Sequence, residues 1–186
     1  MKVVGKNYFY LLLFFCALFF SCANDDDYYA PKPKGYYRIE LPEKKYQRFD
    51  NGTCPFSFDV PTYARVVPDP LHKDETCWLD VEYPKFSGIL YLSYKAINNN
   101  LGQYIEDSRT LAVKHSVKAS GIEEQMIQKD SSRVYGILYN IEGNTASSLQ
   151  FHLTDSANHF LRASLYFNCR PNKDSLEPVL NFITCL

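Results

Sequence analysis

From Tyr46 onward, apolar and polar residues follow two different periods. Short runs with strand composition come first, at Tyr46–Phe49, Phe56–Val60, Ala64–Val67, Cys77–Tyr83 and Ile89–Lys95. In Phe56-Ser57-Phe58-Asp59-Val60 and again in Leu79-Asp80-Val81-Glu82-Tyr83 every second residue is apolar. That pattern turns one face of a strand inward and the other toward water. Asp50-Asn51-Gly52, Pro61, Pro68–Pro70 and Pro84 punctuate the runs as turns. The period then lengthens. Leu101, Tyr104, Ile105, Ser108, Leu111, Ala112 and His115 recur at spacings of three and four, which predicts a helix over Asn100–Ser120. Asn100 is its expected cap and Gly121 its expected stop. Four further strand runs follow, Ile122–Lys129, Val134–Ile141, Ser147–Leu153 and Phe160–Asn168. Their connections are short and polar, as in an antiparallel meander. A last apolar stripe, Leu176, Val179, Leu180 and Ile183, predicts a closing helix from Asp174 to Thr184, capped by Asp174 or Ser175. Pro178 is tolerated there because it falls in or just after the first turn. The expected fold is α+β: a single domain over residues 46–186, with a mainly antiparallel twisted sheet and two amphipathic helices lying on one face or split between both.

The start of the chain obeys other rules. Met1–Asn7 carries Lys2, Lys6 and no acid, and Tyr8–Phe20 is an unbroken apolar run. Such a run has the length of a signal-peptide core and is shorter than the roughly 18 apolar residues of a membrane-spanning helix. Ser21 and then Cys22 follow it, and the whole resembles the lipobox of a bacterial lipoprotein signal. The resemblance implies a leader over residues 1–21, a covalent lipid on Cys22, and a membrane-anchored chain with no other cofactor. Residues 22–45 read as an extended tether. They hold Asp25-Asp26-Asp27, Pro31, Pro33 and Pro42 with few aliphatic residues, so they cannot build a core of their own. The acidic triplet is either a sorting signal of the kind seen in Bacteroidetes surface lipoproteins or a solvated spacer.

Composition narrows the chemistry. Formal net charge is −1, and the loss of Lys2 and Lys6 with the leader makes the remaining chain slightly more acidic, which excludes nucleic acid as a partner. Fifteen Tyr and thirteen Phe suit strands and half-buried surfaces. Signatures of nucleophilic, nucleotide-binding and zinc-protease sites are missing, so no enzyme activity and no metal is expected. His152 and His159 flank a turn and could lie near each other across a hairpin. Export permits disulfides. With Cys16 in the leader and Cys22 acylated, Cys54, Cys77, Cys169 and Cys185 admit three pairings. Cys169–Cys185 would staple the last helix to the last strand, and Cys54–Cys77 would close a loop in the first half. Each would contribute roughly 3 kcal/mol.

Four stretches carry a family resemblance: Tyr29–Leu41, Phe56–Val60, the helix around Tyr104–Arg109, and His159–Phe182. Together they resemble the gliding-motility lipoproteins GldD of Bacteroidetes, which are needed for gliding and for the linked type IX secretion system. The resemblance implies a lipid-anchored protein of the cell envelope, most naturally in the outer membrane. Its partners would be other gliding and secretion proteins, and no catalytic residues carry over from the family. The expected role is a non-catalytic assembly or scaffold component. Tyr36, Tyr37 and Arg38, on a proline-stiffened segment, are the candidate partner-binding residues. The alternative is a ligand- or glycan-binding lipoprotein using Trp78, Tyr91 and Tyr94. The element order is also similar to PsbP- and Mog1-like domains.

Overall fold

In a computed structural model, which describes residue 35 and residues 38–184, the period-two segments become nine strands. β1 (Tyr46–Phe49) and β2 (Phe58–Pro61) form a separate hairpin. The others are β3 (Arg65–Pro68), β4 (Leu79–Tyr83), β5 (Gly88–Ala96), β6 (Ala119–Lys129), β7 (Val134–Gly143), β8 (Ser147–Thr154) and β9 (His159–Phe167). They form one antiparallel sheet in the order β3-β4-β5-β9-β8-β7-β6. Helix α1 (Leu101–Val113) links β5 to β6, and α2 (Lys173–Thr184) closes the chain. The sheet is therefore two meanders, β3-β4-β5 and β6-β7-β8-β9, joined where β5 pairs with β9 from Gly88 opposite Phe167 to Ala96 opposite His159.

Register assigns every side chain to a face, because directly opposed residues point the same way. One row across the sheet reads Leu138, Phe151, Ala163, Leu92, Leu79. This apolar face carries the main core: Val81, Tyr83, Leu149 and Leu165 pack with Val60 and Ala64, and with Leu180 and Ile183 of α2. The Phe49 and Phe58 rings of the hairpin meet in a tilted pair at 5.1 Å and join the same core. Cys54 and Cys77 are disulfide-bonded, with Cα atoms 5.5 Å apart, which ties the loop after β1 to the loop before β4. Closing that loop stabilises the fold by roughly 3 kcal/mol. Gly136 is required where β7 and β8 approach closely, because a Cβ there would run into the carbonyl of His152.

The neighbouring row across the sheet reads Tyr139, Gln150, Ser164, Tyr91, Asp80. This is the polar face, and α1 lies on it. Ala112 packs on Tyr139 and Ile141, and the Tyr104 ring meets Phe160 at 5.3 Å. The two helices are thus split between the faces.

Three local expectations are corrected. The first helix does not run to Ser120, and Gly121 is not its stop. It ends at Val113, passes through a 3-10 turn at Lys114–Val117, and enters β6 at Ala119. Val113, Ser116, Val117 and Ser120 are weak helix formers, and pairing with β7 wins. Gly121 sits at a bulge beside Ala119, where the register shifts. The Asn100 side chain does not cap α1 either, since its Oδ1 accepts the Asn98 N–H at 2.8 Å. Neither Asp174 nor Ser175 is the first residue outside α2. The helix begins at Lys173, whose N–H donates to Asn144 Oδ1 at 2.9 Å, so the cap comes from the β7–β8 turn. Lys173 Nζ also meets Glu142 at 3.3 Å. The tether's end is joined to the domain: the Lys45 carbonyl accepts the Thr62 N–H at 2.9 Å, and Lys44 lies 5.2 Å above the Phe182 ring.

Candidate functional site

The polar face gathers the residues with unusual chemistry. At its β3-β4 end, Asp69 makes a tight turn. Its Oδ1 accepts the Leu71 N–H at 2.7 Å, and its Oδ2 lies 2.6 Å from His72 Nδ1. Burial alone would raise the Asp69 pKa, but the backbone donors of Leu71 and His72 and the imidazole together hold it below the usual carboxylate range. The His72 ring packs on Trp78 at 4.5 Å, Lys95 Nζ lies 5.3 Å from the same indole, and Trp78 Nε1 donates to the Tyr94 carbonyl at 3.0 Å. Beside this loop stands Asp80, only 5% exposed, with an Oδ1 that has no partner among the described residues. Burial, and after it the charges of Asp69 and Glu82, push its pKa up to about 6. Alternation in β4 predicted that Asp80 would face water. It does not, because the polar face is itself covered.

Beneath α1 the same face forms a buried polar layer. Gln150 is 2% exposed, and its Oε1 accepts from Arg162 Nη2 at 2.7 Å. His152 is equally buried, stacks on Phe160 at 5.6 Å, and has its pKa lowered by burial, which favours the neutral ring. Ser108 Oγ of α1, Tyr139 Oη, Gln150 Nε2 and His152 Nδ1 are all buried without a hydrogen-bond partner among the described residues. Each such group costs about 1–3 kcal/mol. The layer contains hydrogen-bonding groups and a neutral imidazole. Among the described residues, neither Ser108 Oγ nor His152 Nδ1 has a hydrogen-bond partner, so the two are not hydrogen-bonded to each other.

The residues singled out in the sequence are scattered. His152 lies on the polar face, whereas His159 lies on the apolar face and meets the Tyr94 hydroxyl through Nδ1 at 2.9 Å. Strand alternation separates the two histidines despite the shared hairpin. It also separates the three aromatics of the ligand-binding alternative, with Trp78 and Tyr91 on the polar face and Tyr94 packed on Phe56 on the other. A shallow concavity of about 200 Å³ between the 3-10 turn and the β7–β8 turn is lined by residues such as Lys114, His115, Asn144 and Thr145, with no Phe, Tyr or Trp. Among the described residues, no group of three or more His, Cys, Asp or Glu side chains is placed to hold a metal ion. Cys169 is exposed just beyond β9 and unbridged among the described residues; Cys185 lies outside them. Cys22, Tyr36 and Tyr37 also lie outside the described residues, and Arg38 is exposed. Among the described residues no helix is long and apolar enough to cross a membrane.

Asp80, Tyr139, Gln150 and Arg162 were not legible as special. Asp80, Gln150 and Arg162 occupy positions that alternation assigns to the solvent side of their strands, Tyr139 lies in a strand with no clean alternation, and only the sheet order reveals what covers them. With this geometry in hand, comparison with known families gives one match: the model described as gliding motility lipoprotein GldD covers residues 26–185. No curated protein and no solved structure matches the chain.

Proposed function

We propose that this chain, which belongs to the gliding motility lipoprotein GldD family, works as a non-catalytic assembly or scaffold component of the gliding and type IX secretion apparatus. The observation that carries the reading is the extent of the family match. It begins at residue 26, inside the tether, and ends at residue 185, so the family match takes in both tether and domain, which supports reading them as one working unit. Cys22 carries the lipid, and the tether joins it to the domain. Two or more acyl chains give stable attachment where one would be marginal. The hairpin and α2 cover the apolar face and α1 part of the polar face, and in this reading the tether and the sheet's edges are the working surface. At the end of the tether Arg38, Ile39 and Leu41 are all exposed. Together with Tyr36 and Tyr37 they supply the aromatic and guanidinium types enriched at interface anchors.

Replacing Tyr36, Tyr37 and Arg38 with Ala tests this reading. The expected result is loss of gliding or type IX secretion with unchanged protein level and an unchanged melting temperature. Retained function at normal protein level would place the interface outside the tether.

A further inference from the structure

The far edge of the large sheet is a single long strand. β6 has eleven residues and pairs only on its β7 side among the described residues. Edges of this kind are usually shortened or blunted with proline, bulges or charged side chains, because their unpaired backbone groups template further pairing; β6 carries charges of both signs, Glu123, Glu124 and Lys129. β6 has no proline, and its one bulge lies at the Ala119/Gly121 end. Over Glu123–Lys129 it is regular and exposed except at Ile127, and Met126 at its middle is 78% exposed.

From this edge we infer that the protein forms a two-fold dimer by pairing β6 antiparallel with β6 of a second copy, centred on Met126. The argument is one of charge and register. When two identical antiparallel strands meet about a two-fold axis, opposed residues must come from the same face of their sheets. The axis therefore passes through a residue and never between two. Centring on Glu123 or Glu124 sets a glutamate against its own copy. Centring on Gln125 opposes no charges, and centring on Ile127 sets Glu124 against Asp130. Centring on Met126 opposes Glu123 to Lys129 twice, Glu124 to Gln128 twice, and the exposed Met126 to itself. Of these registers it alone pairs opposite charges. Opposed charges on adjacent strands attract and like charges repel, each by a fraction of a kcal/mol up to about 1 kcal/mol. A ladder this short binds weakly between free molecules. Two copies anchored in one membrane meet at a much higher effective concentration.

The test uses the full lipidated chain in native envelopes, in a background with Cys169 and Cys185 changed to Ser. Oxidation of Met126→Cys should give a disulfide-linked homodimer roughly tenfold or more faster than Glu124→Cys or Gln128→Cys alone, because only the axis residue meets its own copy within bonding reach. Glu124→Cys with Gln128→Cys in one chain should cross-link again. Glu123→Lys should cut the Met126→Cys yield roughly tenfold, as two attractive pairs become two repulsive ones. Adding Lys129→Glu should restore it. Equal cross-linking at positions 124, 126 and 128, indifference to charge reversal, or a Met126→Cys adduct with a different protein would each overturn the assignment.

Discussion

Leu138, Phe151, Ala163, Leu92 and Leu79 form one row across the sheet, and Tyr139, Gln150, Ser164, Tyr91 and Asp80 form the next, on the opposite face. Both rows are largely covered, yet by different means. The apolar row lies under a hairpin held by a disulfide and under α2, whose first N–H is capped by Asn144 from the sheet itself. The β7–β9 part of the polar row lies under α1, which has no side-chain cap and whose contact surface includes four polar atoms buried without a hydrogen-bond partner among the described residues. Burial alone does not separate the two faces. They differ in what it contributes, since apolar burial stabilises by about 25 cal/mol per Å² while an unpaired polar group costs free energy. The apolar face holds the domain together, and the polar face is tolerated.

The contrast is broken most severely by Leu165→Ala. Leu165 is fully buried on the apolar face, and its truncation should cost about 3–4 kcal/mol, a fall of roughly 10 °C in melting temperature. A loss under about 1 kcal/mol in urea denaturation would mean that this core is loosely packed.

Asp80→Asn should act the other way, and only above acid pH. A carboxyl whose folded pKa is raised to about 6 from 3.8 binds its proton more tightly when folded. Stability is therefore lost as pH rises between those values, and the cost is complete above pH 6. The amide removes the charge. Melting temperature should rise by several degrees, at most roughly 9 °C, at pH 7.5 and change little at pH 4. A fall at pH 7.5 would show that the Asp80 carboxylate has a favourable partner.

Tyr139→Phe should do least. Removing a buried hydroxyl without a partner should leave stability within about 1 kcal/mol of the original, or above it. A loss beyond about 2 kcal/mol would show that this hydroxyl is hydrogen-bonded.

How much of this could be read from the chain alone differs between the same two faces. Alternation within β2, β4 and β9 located the apolar face, and all nine strands lie within two or three residues of the runs that hydrophobic periodicity marked. The meander of β6 to β9 followed from three short polar turns. The polar face was illegible, because period two distinguishes the sides of a strand but cannot tell water from a covering helix. Asp80 therefore read as exposed. The ends of α1 were misjudged for a related reason. The stretch after Val113 carries helical spacing, but its residues belong to the ladder with β7. At Cys54 and Cys77 loop length alone left three pairings open, and geometry joins these two.

The seam between β5 and β9 also governs how the chain reaches its fold. Each meander closes through neighbouring hairpins, which form in microseconds. The seam joins Ala96 to His159 across α1 and three strands, and Gly88 to Phe167 across a still longer span. Non-local pairing of this kind is slow, because the loop entropy is lost before the contacts form. For a chain delivered N-terminus first, β3-β4-β5 must wait, with the β5 edge open, until the last strand has emerged. The step that completes the sheet must therefore wait for nearly the whole chain, and until then the open edge of β5 is exposed to mispairing.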